Sequence, residues 1–167
     1  LGKKLGNNNP IHPNDHCNLG QSSNDSFPTA MNIAIILEIK KNLIPTIKSL
    51  SKALWIKEKD FSTIVKIGRT HLQDAVPLTL GQEFGAFKVQ IDNALDRIQN
   101  SSKELFSLAQ GATAVGSGLN SSTVFVKGFI KAIQSITDLP FKSAENKFDS
   151  LSSHDSIVNL SGAINTL

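Results

Sequence analysis

The sequence predicts an all-α fold, a bundle of long helices preceded by a loop-rich N-terminal segment. Three observations predict it. An apolar stripe runs through Ile33, Ile36, Leu37, Leu43, Ile44, Ile47, Leu50 and Leu54 at three- and four-residue steps. A second runs through Leu80, Phe84, Phe87, Ile91, Leu95, Ile98, Leu105 and Leu108. Alternating, strand-like runs are almost absent, and helix packed on helix is the layer architecture that such stripes can cover.

Residues 1–24 are rich in Gly, Asn and Pro, with turns expected at Asn9-Pro10 and His12-Pro13. A helix then starts with Asp25 or Ser26 as its cap and Pro28 in its first turn, where the missing N–H is not needed. Pro45 falls inside the first stripe and should bend the helix or divide it. Thr63-Ile64-Val65-Lys66-Ile67 is a short, mostly β-branched run, expected to be extended and to deliver the chain to a polar loop from Gly68 to about Pro77.

The second stripe marks the next long helix, and its spacing of about 3.5 residues suits helices crossing at shallow angles. Gly111 to Asn120 is expected to be a turn. A third helix covers roughly Thr123 to Thr137, and a fourth opens near Asp149 after the Leu139-Pro140 break. Each of the two longest helices runs on the order of 40 Å at 1.5 Å per residue. A lone pair leaves much apolar stripe uncovered, so a homo-oligomeric, tetramer-like bundle is expected.

At 167 residues one sizeable core is the default, and 40% hydrophobic with 19% charged residues fits a globular chain. The net charge of +3 comes with lysines scattered through Lys40, Lys41, Lys48, Lys52, Lys57 and Lys59, a solvated face and not a nucleic-acid footprint. No run reaches the roughly 18 apolar residues of a membrane helix, and no secretory leader pattern is present. Cys17 is alone, so no internal disulfide can form and a reducing compartment is the simpler reading. Leu1 is not an initiator methionine, and Ser161 to Leu167 carries no terminating signal, so the chain is expected to be a piece of a longer polypeptide.

Two polar segments carry the chemistry. Gly68-Arg69-Thr70-His71-Leu72-Gln73-Asp74 gathers an imidazole that titrates near neutrality with hydroxyl, amide and charged neighbours, which suits proton transfer. Gln21-Ser22-Ser23-Asn24-Asp25 abuts a helix start, where hydroxyls, an amide and backbone N–H groups can converge on a carboxylate. His12, Asn14, Asp15, His16 and Cys17 could be read as metal ligands, but His-Pro-Asn-Asp is good turn chemistry and has no second ligand cluster to match it. Cys17 is read as a buried, inert thiol. Gly111 to Gly118 has Ser121 where a dinucleotide fingerprint needs its third glycine, and no Gly-x-Ser-x-Gly elbow occurs anywhere.

Taken in order along the chain, several segments resemble the fumarase/aspartase superfamily, and most closely its class II fumarate hydratases. They are His12-Pro13-Asn14-Asp15, Gln21 to Asp25 running into Phe27-Pro28-Thr29-Ala30, Gly68 to Ala75 with Pro77 to Glu83, Gly111 to Asn120, and Asn146-Lys147-Phe148. Aspartate ammonia-lyases are similar but typically carry Gln at the place of His71 and Ser-Thr-Asn at the place of Ser22-Ser23-Asn24. Gly20 stands where the family usually has Ser, and Cys17 where Val is common.

The resemblance implies that residues 1–21 end an N-terminal lyase domain and that 22–167 form the first part of a central helical bundle. It implies substrate-carboxylate binding by Ser22, Ser23 and Asn24, substrate binding by Thr70, and His71 as the catalytic histidine. His12, Pro13, Asn14 and Asp15 would form a second dicarboxylate site. The implied reaction is reversible hydration of fumarate to (S)-malate in the tricarboxylic acid cycle, with no metal or organic cofactor. The implied assembly is a homotetramer whose active sites draw on three subunits, in the bacterial cytoplasm or the mitochondrial matrix, with no nucleic-acid or membrane partner. The family's Gly-Ser-Ser-x-Met-Pro-x-Lys-x-Asn loop, which supplies a catalytic serine and lysine, has no counterpart in 1–167, so the chain alone is expected to be inactive. The alternatives are an aspartate ammonia-lyase and a non-catalytic superfamily remnant; intact site residues favour the enzyme.

Overall fold

The computed structural model describes Gly2 and residues 4–167; Leu1 and Lys3, within the expected 1–21 segment, lie outside the described residues. Its elements are α1 (Ser23–Glu38), α2 (Ile44–Asp60), β1 (Val65–Thr70), β2 (Gln73–Thr79), α3 (Leu80–Ser101), β3 (Ser107–Leu108), α4 (Thr123–Thr137), β4 (Lys142–Ser143), α5 (Lys147–Ser152) and α6 (Asp155–Asn165). Long helices dominate, and the fold is the predicted all-α bundle type. Where length gives one core as the default, the chain forms two compact units, residues 1–37 with 104–157 and residues 38–103 with 158–167.

The first unit is built on α1 and the segment after α3. Ile36, Leu105, Leu108, Ala112 and Phe141 are fully buried there. Asn32 on α1 donates to the Ser107 carbonyl at 3.2 Å. The two-residue strands β3 and β4 pair in parallel, and Ala144 N–H continues the ladder to the Leu108 carbonyl. Phe141 packs against Phe106 with ring centroids 5.2 Å apart.

Two expectations at α1 change. The helix starts at Ser23, earlier than predicted, because Ser22 is the cap: its Oγ accepts from Asn24 N–H and its carbonyl from Ser26 N–H. Pro28 therefore sits past the first turn. The expected break at Pro45 is present. Ile39–Leu43 winds as a wide π-type turn, and α2 restarts with Pro45 among its first residues, where its missing N–H costs nothing.

In the second unit α2 packs along α3, with Ile44, Ile47, Ala94 and Ile98 buried; Leu160 and Ala163 of α6 are buried as well. The seam carries one polar cluster. Asp92 accepts hydrogen bonds from Lys88 and Ser51, which hold its carboxyl below the usual carboxylate range. The linked stability is present above the unfolded value of about 3.9 and is lost as the pH falls through the lower folded value. Arg97 ties α3 to the chain end through Thr166, at 3.0 Å to its Oγ1.

The second stripe does not stay helical. α3 ends at Ser101, and a 3-10 turn, Ser102–Phe106, leads into β3. Leu105 and Leu108 are nonetheless fully buried. α4 occupies the predicted range, capped by Ser122 Oγ on Phe125 N–H. The fourth helical region is two helices, the first opening at Lys147 under an Asn146 cap.

Candidate functional site

In the first unit, Ser22, Ser23 and Asn24 open α1. Ser22 Oγ accepts the Asn24 N–H at 3.1 Å, and Asn24 Nδ2 donates to the Ala114 carbonyl at 2.8 Å. Ser23 and Asn24 line a cleft of about 690 Å³, with Phe27, Val115, Phe148 and His154 among its other walls. The cleft lies against the first turn of α1, whose dipole favours an anion, while the Asp149 carboxylate lines it as well.

The opposite wall comes from the turn between Gly111 and Asn120, the turn expected from the sequence. Gly111, Thr113, Gly116, Gly118 and Asn120 all have positive φ. At Gly116 (φ +106°) an added Cβ would lie 2.9 Å from the Phe148 Cα, so glycine is required for that close approach. Asn146-Lys147-Phe148 braces the same turn: Asn146 Oδ1 accepts from Phe148 and Asp149 N–H, Lys147 Nζ donates to the Gln110 carbonyl, and Phe148 covers Gly116. Burial lowers the Lys147 pKa, opposed by the Asp25 carboxylate nearby.

His71 belongs to the second unit. The segment Gly68 to Asp74, expected as a loop running to about Pro77, is instead an antiparallel hairpin. β1 and β2 pair from Val65 with Thr79 to Thr70 with Gln73, with a bulge between Ile67 and Arg69. The connection has two residues, His71 (φ +50°) and Leu72 (φ +61°). Positive φ at both is the type I′ pattern, which matches strand twist and normally selects Asn-Gly. Filling it with His and Leu stores strain of about 1–2 kcal/mol per residue. The imidazole is exposed at the tip, and Leu72 beside it is 97% exposed. At the hairpin base Leu80 and Gly81 donate to Ile64 and Phe61, and Thr79 with Gln82 forms a capping box on α3.

His12 to Asp15 has the expected turn chemistry. His12 caps a π-type turn, Pro13–Cys17, with Nδ1 accepting from Asn14 and Asp15 N–H at 3.2 Å each. A nitrogen used that way is not available to a cation. Cys17 is exposed, where an inert buried thiol was the favoured expectation.

Thus Ser22, Ser23 and Asn24 are brought together, as are Thr70 and His71, each set within its own unit. The sequence assigns no role to Phe148 or His154, which line the cleft, or to Lys147, which braces the turn beside it. It marks Asp25 as an end cap, whereas this residue is fully buried and receives Ser22 N–H, Gly111 N–H and Thr113 N–H. The signal was the Ser-x-x-acid spacing of residues 22–25, a capping-box pattern that ties the acid to the helix start.

A family model described as lyase matches residues 1–167. The class II fumarate hydratase of Brucella suis is 52% identical over all 167 residues, which cover 36% of that relative. The mitochondrial fumarate hydratase of Rhizopus oryzae is 53% identical over the same span, 34% of its length. The crystal structure of recombinant class II fumarase from Schistosoma mansoni superposes with a TM-score of 0.91 at 44% identity, covering 94% of this chain and 36% of that one. The chain spans about a third of the length of the relatives it matches.

Proposed function

The chain belongs to this lyase family, and from that premise we propose that the whole protein is a class II fumarate hydratase, adding water reversibly across fumarate to give (S)-malate in the tricarboxylic acid cycle. Ser22, Ser23 and Asn24 grip a substrate carboxylate at the positive end of α1, and Thr70 donates a further hydrogen bond. In the malate direction a base takes a proton from the carbon beside one carboxylate. The electron pair delocalises onto that carboxylate, where aimed donors stabilise it. His71, acting through a water, protonates the departing hydroxyl, which leaves as water. The base belongs to no residue of 1–167 in this reading, and the 167-residue chain alone is inactive.

The observation that carries the reading is His71. It sits in a backbone conformation that costs energy, exposed at a hairpin tip, at the position where the resemblance implies Gln for aspartate ammonia-lyases. Strain of that kind persists at positions that present a side chain to chemistry. We assign residues 1–21 to the end of an N-terminal lyase domain and 22–167 to the first part of the central bundle. The assembly is a homotetramer with sites shared among three subunits. Leu37, Leu50, Trp55, Ile56, Phe87 and Val89 stay exposed on α1, α2 and α3, apolar area that subunit packing would cover. His12, Pro13, Asn14 and Asp15 form a second dicarboxylate site. The protein works in the bacterial cytoplasm or the mitochondrial matrix, and no described helix is long and apolar enough to cross a membrane.

Full-length protein supplied with fumarate is expected to form malate, and supplied with aspartate to release no ammonia. Ammonia release without malate formation would place the protein in the ammonia-lyase branch, and neither activity would leave it a non-catalytic relative.

A further inference from the structure

We propose that Asp25 is a positioning residue for substrate-carboxylate binding, acting through Asn24 and the turn opposite it; the inference rests on the fumarate hydratase reading above. Asp25 is fully buried, yet both oxygens are used. Oδ1 accepts from Ser22 N–H at 3.0 Å and from the Ser26 hydroxyl at 3.2 Å. Oδ2 accepts from Gly111 N–H at 3.0 Å and Thr113 N–H at 2.8 Å. One carboxylate therefore joins the helix start to a turn more than 80 residues away in sequence.

Its reach continues on both sides. Thr113, a non-glycine residue at φ +59°, directs its N–H onto Asp25. The next residue, Ala114, presents the carbonyl that takes the Asn24 amide at 2.8 Å. On the helix side, the Ser22 backbone that Asp25 fixes carries the hydroxyl accepting Asn24 N–H. Asn24 is thus held at its backbone and at its side chain by groups that Asp25 itself positions. The side-chain amide is committed to Ala114, and both residues line the cleft. Gly111, at φ +86°, lies against the side chains of Val126 and Lys147, which pack around the turn that Asp25 holds.

A mere stability role for Asp25 would use the same hydrogen bonds, so the test must separate the two. Asp25→Asn keeps the size but replaces one accepting oxygen by an NH₂, which faces at least one backbone N–H donor in either amide orientation. In the full-length protein, assayed well below its melting temperature, the expected result is a rise of about tenfold in KM for fumarate with kcat within about threefold of the parent. In an Asn24→Ala background the same substitution should change KM less than about twofold, because the group it orients is gone. Should Asp25→Asn fail to assemble, Asp25→Glu, which keeps the charge but displaces both oxygens, carries the same measurements. A folded variant with a lower melting temperature and an unchanged KM overturns the inference, as does a KM effect that persists in full without Asn24. If the parent hydrates no fumarate, the functional reading itself fails and this inference falls with it, a result distinct from a parent that works and a variant that matches it.

Discussion

His71→Asn in the full-length protein is expected to lower kcat for fumarate hydration by about two to four orders of magnitude, the range lost when a positioned acid or base is removed. KM should change little, because Ser22, Ser23 and Asn24 are untouched. The choice of Asn matters for the interpretation. His71 has φ +50°, and Asn is among the few side chains that tolerate this region. It is also the residue that type I′ turns favour at this place. The hairpin should therefore hold its shape or become more stable, and the lost turnover reports the imidazole and not the fold. Initial rates with the oligomer confirmed by size decide it. Undiminished turnover would remove His71 from the mechanism.

The largest expected effect on stability is at Phe141. Its side chain is fully buried against Phe106, its N–H reaches the Leu139 carbonyl, and its carbonyl takes the Gln134 amide at 2.7 Å. It leads directly into β4, the strand that pairs with β3. Phe141→Ala removes the ring and leaves a cavity, a loss of about 3–5 kcal/mol, which is much of what holds a domain folded. Phe141→Leu should cost less than about 1.5 kcal/mol. Denaturant midpoints at one protein concentration compare the two, since assembly makes apparent stability concentration-dependent. Equal midpoints for the parent and the alanine variant would contradict the packing described.

These residues also show what the sequence makes legible. α4 was readable because Ser122 signals its start and its apolar spacing is confined to one element. The end of α3 was not. Leu105 and Leu108 keep helical spacing because they are buried, and periodicity reports burial before it reports hydrogen bonding. The hairpin was hidden for two reasons: Arg69 to Asp74 has no apolar alternation, and its turn lacks the Asn-Gly that such turns prefer. Of the candidate site, the hydroxyl-and-amide triplet and the imidazole were visible as polar runs beside helix signals. Asp25 was visible only as a cap, since its partners at Gly111 and Thr113 are backbone N–H groups, which leave no mark in a sequence.

The proposed shared site has the Ser22–Asn24 triplet of one chain and His71 of another acting on one four-carbon diacid. Two full-length variants probe it, one with Ser23→Ala and Asn24→Ala, the other with His71→Asn. Each should be nearly inactive alone. After unfolding and reassembly as a mixture, activity should return to about a quarter of the parent's, the share of sites that draw both intact segments from different chains of a random assembly. A mixture that assembles fully and stays as inactive as its parts would rule out a site shared between chains in this way.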